Sequence, residues 1–199
     1  IKRAGLDTVE PAIVLDAELL ERRSFTNIAD LLNEAPAFGV PAASPQGTQN
    51  GFAVAQNVVN FLDLGPQRTL TLVNARRFVT STAPTPFGGS GGLQVDFNSI
   101  PIALVERIET VATAGAPTYG SDAIAGTINV ILKDDFEGLD IRAQYGTATG
   151  SSIGESLQLQ AVFGGNFADD RGNLALSVEW SEQEGVAGIN RPLFAFNQP

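Results

Sequence analysis

The chain has 199 residues, 22 Asp and Glu against 12 Lys and Arg, a formal net charge of −10, and no Cys, His or Met. These absences rule out disulfides, thiolate metal sites, His-ligated zinc, imidazole general bases and both Ser-His and Cys-His nucleophile pairs. The acidic balance argues against a nucleic-acid partner, which needs clustered Lys and Arg, and no run approaches the roughly 18 apolar residues of a membrane helix.

In chain order, residues 12–15 (AIVL) read as a short apolar strand. Asp16 is placed to cap a helix running to Arg22, with Glu18 near its positive end. A second helix follows: Ile28, Leu31, Leu32 and Ala35 recur at helical spacing, Thr26 can cap it, and Pro36 ends it. Residues 39–51 and 81–92 turn to Pro, Ala, Ser, Gly and Gln and read as long irregular loops, either plain connections or ligand-presenting segments. Between them, residues 69–73 and 78–79 are strand-like around Asn74, Ala75, Arg76 and Arg77, a hairpin or sharp turn. The two arginines either pair with carboxylates on a facing barrel wall or stay solvated.

The densest segment runs from Val105 to Leu139. Glu106, Arg107 and Glu109 alternate with Val105, Ile108 and Val111 as on a half-buried strand. Gly115, Pro117, Gly120 and Gly126 then break the chain, and residues 127–132 (TINVIL) read as a strand covered on both sides. Ser121 and Asp122 are suited to hydrogen-bonding backbone in the turn. Beyond, Leu139, Ile141, Ala143 and Tyr145, then Leu157, Leu159, Ala161 and Phe163, then Leu174, Leu176, Val178 and Trp180 alternate with mostly polar residues. Such ten-residue segments between Gly-, Ser-, Asn- and Asp-rich turns suit barrel strands, although a soluble sheet with one wet face gives the same pattern. Tyr145 and Trp180 near strand ends suit an aromatic girdle. Residues 169–173 read as a tight turn with too few oxygens for calcium, and Asp134, Asp135 and Glu137 mark a hydrophilic hinge.

Chemistry is hard to find. The Gly-rich run 88–92 lacks the Gly-Lys-Ser/Thr ending of a phosphate loop, and residues 120–126 have no Lys. Glu106 and Glu109, at opposite strand parity, are expected on different faces and so unable to share a substrate. Tyr119 and Tyr145 are the sole candidate haem ligands and sit in a turn motif and on an alternating strand. No enzyme, cofactor or metal is expected.

Three stretches together resemble the plug domain of TonB-dependent outer-membrane receptors. The ERIE strand, YGSDAIAG turn and INVI strand resemble the end of that plug; residues 65–77 (GPQRTLTLVNARR) resemble its strand-and-turn motif, and residues 95–101 (VDFNSIP) its approach to the ERIE strand. The matches cover roughly residues 12–145 in order. The carried-over residues are Arg68, Asn74, Arg76, Arg77, Glu106, Arg107, Glu109, Tyr119, Gly120, Ser121, Asp122, Gly126 and Asn129, in a structural role. Two positions depart: Leu62 stands where the family often has Arg, and Ala75 where it often has Gly, so a turn needing positive φ would be strained.

The resemblance implies an α+β plug domain, a small mixed β-sheet with short helices, over residues 1–137. The first three antiparallel strands of an incomplete transmembrane β-barrel follow over residues 138–199. It further implies TonB-dependent uptake of a scarce nutrient such as a siderophore, cobalamin or saccharide across the outer membrane of a Gram-negative bacterium, the plug gating the lumen. The implied partners are TonB, an extracellular nutrient ligand, outer-membrane lipid and the remainder of the barrel. An alternative is a non-transporting surface component reusing the plug and a few strands. The chain starts at Ile1 with no signal-peptide pattern and is expected to be a mature or trimmed product without the family's TonB-contacting box. Three strands cannot close, so either a longer protein or other chains complete the wall.

Overall fold

A computed structural model describes residues 12–16, 25, 27–40, 56–81, 94–112, 119–147, 155–169 and 171–183. The expected helix from Asp16 to Arg22 and most of the two long loops lie outside the described residues.

The first sheet contains β1 (Ala12–Asp16), β2 (Thr69–Val73), β3 (Arg76–Arg77), β4 (Val105–Ala112) and β5 (Gly126–Leu132), in the spatial order β1-β4-β5-β2-β3. β2 and β5 run parallel; the other neighbours are antiparallel. Helix α1 (Ile28–Glu34) buries Ile28, Ala29, Leu31 and Leu32, as the helical spacing implied. Its cap is Asn27 rather than Thr26: the Asn27 Oδ1 accepts from the Asp30 N–H at 3.0 Å, and Nδ2 donates to Asp30 Oδ2 at 2.8 Å. One orphaned helix-start N–H is thereby satisfied, and the cap side chain is itself held by the Asp30 carboxylate.

The core lies on one face of this sheet. Val105 and Ile108 of β4 and Ile128 and Val130 of β5 are fully buried against α1, Phe38, Val59, Phe61, Phe97 and Ile100. On the other face Leu70 and Leu72 pack with Ala123. Val105 and Ile108 share the core despite odd spacing because the register shifts between Val105 and Arg107, a β-bulge in which Glu106 is the extra residue. The alternation expected from the sequence is therefore corrected: the buried positions are Val105, Ile108 and Thr110, and Val111 is half-buried on the other face.

The β2–β3 hairpin also differs from expectation. Its second strand is Arg76–Arg77, not residues 78–79, because the turn has only Asn74 and Ala75, at φ 48° and 63°. Two consecutive left-handed residues are the type I′ pattern, which lets the strand resume at once. Ala75 at this angle is strained by about 1 kcal/mol, and Ala75→Gly is expected to stabilise the fold by roughly 0.5–1 kcal/mol after glycine's greater unfolded-state freedom is counted. A raised urea midpoint of the full-length protein checks this.

The second sheet is an antiparallel meander of β6 (Gly138–Gly146), β7 (Ser156–Phe167) and β8 (Gly172–Gln183). Leu139, Ile141, Tyr145, Leu159, Phe163, Leu174, Leu176, Val178 and Trp180 all stand exposed on one face. The opposite face is mainly polar and is covered by the first unit: the 3₁₀ turn Ile102–Leu104 packs on β7 and β8, and Gln158 and Val162 are buried. The outer edges of β6 and β8 have no partner among the described residues. Among the described residues no helix is long and apolar enough to cross a membrane, which says nothing of strands.

Candidate functional site

Most of the motif residues gather around the β2–β5 side of the first sheet, where backbone shape is set by side-chain amides and two arginines, Arg68 and Arg77. Asn60 is the organiser of the first loop. Its Nδ2 donates to Asp63 Oδ1 at 2.7 Å and to the Val40 carbonyl at 3.2 Å, while its Oδ1 accepts from Gly65 N at 2.7 Å. This holds Leu62, Asp63 and Gly65 at positive φ. Arg68 follows, its guanidinium donating to Leu64 O at 2.6 Å and its carbonyl accepting from Ala125 N at 2.9 Å, so the loop is joined to the start of β5.

The hairpin tip is bound to β5 by two asparagines. Ala75 N donates to Asn129 Oδ1 and Leu132 N to Asn74 Oδ1, each at 2.9 Å. Arg77 then reaches the turn after β4: it pairs with Asp122 at 2.5 Å and donates to the Tyr119 carbonyl. Neither reading of the arginines holds for Arg77, which pairs within its own unit rather than with the barrel wall, while Arg76 is exposed. Asp122 takes a guanidinium and a Ser121 hydroxyl at 3.3 Å rather than backbone amides. Gly120 at φ 90° and Gly126 at φ 143° frame this turn. Because Arg77 is about half exposed, the pair contributes at most about 1 kcal/mol and serves chiefly to aim the turn.

On β4, Arg107 lies between two carboxylates, donating to Glu109 Oε1 at 2.8 Å and to Glu106. The parity argument that separated Glu106 from Glu109 is corrected by the bulge, which turns Glu106 back toward Arg107. The hydrogen bond to Glu109, with help from both negative charges, raises the Arg107 pKa above its ordinary value, so the group stays charged throughout any working pH. One arginine held between two carboxylates forms a structural clamp on β4.

A cleft of about 390 Å³ separates the two units on the β8 side, with Asn57, Asn98 and Ser99 facing Ser177, Glu179 and Ser181. Asn57 is 1% exposed; its N–H donates to Asp96 Oδ1 at 3.0 Å and its Nδ2 to Asn98 Oδ1 at 2.9 Å. No group of three or more acidic residues capable of holding a metal occurs among the described residues.

Asn57, Asn60 and Asp96 were missed from the sequence. Asn60 had a signal in its spacing to Asp63 and Gly65, three turn-forming types at intervals of three and two. Asn57 had none, because its partners lie 39 and 41 residues away.

A small mixed sheet with its motif turns clamped to one another, seated on the polar face of an antiparallel meander, is the arrangement of a plug inside a barrel wall. Residues 5–127, more than half of the chain, match the model of the TonB-dependent Receptor Plug Domain, and the chain belongs to that family. The Vitamin B12 transporter BtuB of Vibrio cholerae serotype O1 is 28% identical over 177 residues, covering 78% of this chain and 28% of the transporter. Among solved structures, a ferric enterobactin receptor variant (PfeA) from Pseudomonas aeruginosa in complex with enterobactin matches with a TM-score of 0.71 at 16% identity, over 92% of this chain and 26% of the receptor. The siderophore receptor PirA from Acinetobacter baumannii matches with a TM-score of 0.68 at 20% identity, over 92% and 26%. The chain spans a little over a quarter of the length of these relatives. The fold class read from the sequence, an α+β plug followed by antiparallel strands of an incomplete barrel, stands.

Proposed function

We propose that the chain is the plug, over residues 1–137, and the first three wall strands, over residues 138–199, of a TonB-dependent transporter in the outer membrane of a Gram-negative bacterium. Ligand binds from outside, the plug closes the lumen, and energy delivered through TonB from the inner membrane moves the plug to admit a scarce nutrient. The observation that carries this reading is the seating of the Ile102–Leu104 turn on the polar face of strands whose other face is apolar and exposed. A soluble sheet would hide its apolar face and wet its polar one.

The remaining motif residues act as scaffold in this reading. Arg68, Asn74, Arg77, Tyr119, Gly120, Ser121, Asp122, Gly126 and Asn129 shape the plug end, and Glu106, Arg107 and Glu109 form its clamp. The connection through residues 168–171 is shorter than that through 147–155, which supports placing the former at the periplasmic rim and the latter outside. Tyr145 and Trp180 then fall near the outer rim, and Phe167 near the inner one.

Val178 is 73% exposed on the apolar face, beside plug-facing Ser177. Val178→Arg is expected to cost about 2–4 kcal/mol of wall stability in bilayers, and Ser177→Arg far less. Equal cost for both, measured by urea titration of the membrane-embedded full-length protein, would contradict a lipid-facing surface. For the cargo, outer membranes bearing the full-length protein are expected to bind at least one probe among cyanocobalamin, ferric enterobactin and an oligosaccharide. Retention of none of them counts against the uptake reading.

A further inference from the structure

The segment joining the two sheets is fastened down at both ends. At its start, Lys133 N donates to Leu104 O at 2.8 Å and Lys133 Nζ to Ala103 O at 3.0 Å, with the ammonium 5.6 Å from the centre of the Phe136 ring. Lys133 is thus tied to the same turn that packs on β7 and β8. The chain then runs across the plug-facing side of β7. A Cβ on Gly164 would fall 2.4 Å from the Phe136 carbonyl oxygen and 2.8 Å from its ring, so only glycine lets the backbone rest there.

At its end, Asn166 and Asn173 face each other across the β7–β8 ladder. Asn173 Nδ2 donates to the Phe136 carbonyl at 3.0 Å and to Asn166 Oδ1 at 2.6 Å. Asn166 Nδ2 donates to Asp135 Oδ1 at 2.9 Å. Each amide is therefore committed both to its neighbour and to the linker. Two half-buried amides that could have been wetted singly instead form a connected network, the arrangement that fixes geometry most strongly.

We propose that Asn166 and Asn173 are positioning residues of the transport cycle, forming a clasp that keeps the plug's C-terminal linker on the wall while the rest of the plug moves. The proposal rests on the uptake reading. At the opposite side of the sheet, β1 is an edge strand that pairs, among the described residues, with β4 alone, so a pull there meets one five-residue ladder. A freed linker over residues 133–137 could straighten to a span of about 16 Å at roughly 3.3 Å per residue, letting displacement of one part become displacement of the whole plug. The clasp prevents that straightening.

The test uses the full-length protein in outer membranes, with cyanocobalamin and ferric enterobactin as probes. These 199 residues contain no cysteine, and with any cysteine in the remainder of the full-length protein replaced by serine, Asp135→Cys with Asn166→Cys can be bridged by a short cleavable thiol cross-linker. Bridged protein is expected to bind and take up probe within about twofold of the parent. Uptake lost on bridging and regained on cleavage would show that the linker must leave the wall, and would overturn the proposal.

Conversely, Asn166→Ala with Asn173→Ala is expected to keep binding but lose about tenfold in uptake, and to admit vancomycin only in cells that have TonB. Unchanged uptake in this variant also overturns it. Should the double variant fail to assemble, Asp135→Ala removes one clasp bond without touching the wall and is expected to show the same split to a smaller degree. Unchanged uptake in Asp135→Ala would then count against the clasp. Parent uptake that persists in cells lacking TonB would instead refute the uptake reading, while cross-linking yield above that of an Asp135→Cys, Leu157→Cys control still reports the clasp itself.

Discussion

Truncating Phe61 to alanine is expected to destabilise the plug by about 3–5 kcal/mol, since Phe61 is among the largest fully buried side chains of the described residues. Phe61 is 2% exposed, and its ring centroid lies 4.9 Å from that of Phe38 at a tilt of 35°. The aromatic pair adds about 0.5–1.5 kcal/mol beyond buried area. The ring also lies against Gly126, where a Cβ would meet it at 2.6 Å and the Val111 carbonyl at 2.3 Å. It therefore joins three things: the segment after α1, the loop organised by Asn60, and the start of β5. Backbone bonds flank it on both sides, Gly39 N to Asn60 O and Leu62 N to Ala37 O, each at 2.8 Å. Little around the site can collapse into the space a lost ring leaves, because its walls are paired backbone. Hydrogen exchange of the β5 amides in the full-length protein reads the result: an increase of about a hundredfold or more is expected, and a change below about fivefold would contradict this view of the core.

The sequence made the wall legible and the plug motifs recognisable for different reasons. Leu174, Leu176, Val178 and Trp180 alternate with plug-side residues because successive side chains of a strand point to opposite faces, and no long-range knowledge is needed to see a period of two. The motif words carried a family likeness that composition did not. Three local details went astray where one residue changes the outcome. Asn27 caps α1 although Thr26 is also a good capping type, since which of two adjacent cap formers takes the extended conformation is settled by the packing of the helix. The β2–β3 hairpin resumes at Arg76 because Ala75 accepts positive φ, which alanine rarely does. The bulge at Glu106 had a signal, since Val105 and Ile108 are three apart and cannot share a face of a regular strand. The Asn166–Asn173 clasp was not legible: its bonds to the linker span 31 and 37 residues, and asparagines at a strand end read first as turn formers.

These details bear on how the plug withstands force. Its motif end is held by Arg77 on Asp122, by Asn74 and Asn129 on the hairpin, and by the linker on the wall. The β1 side has one ladder to β4, with Val14 opposite Glu109 and Asp16 opposite Arg107. Movement under load should therefore begin at β1.

In the proposed uptake cycle, energy-driven motion of the plug begins at β1, and locking that strand to β4 checks it. Val14 and Glu109 are register partners on the non-core face, so their Cα atoms lie within the usual span of a disulfide. In the full-length protein carrying Val14→Cys and Glu109→Cys, oxidation is expected to leave probe binding intact and abolish uptake of cyanocobalamin or ferric enterobactin, whichever the parent transports. Reduction should restore uptake in cells with TonB and not in cells without it. Uptake by the oxidised protein at the parent's rate would contradict the account.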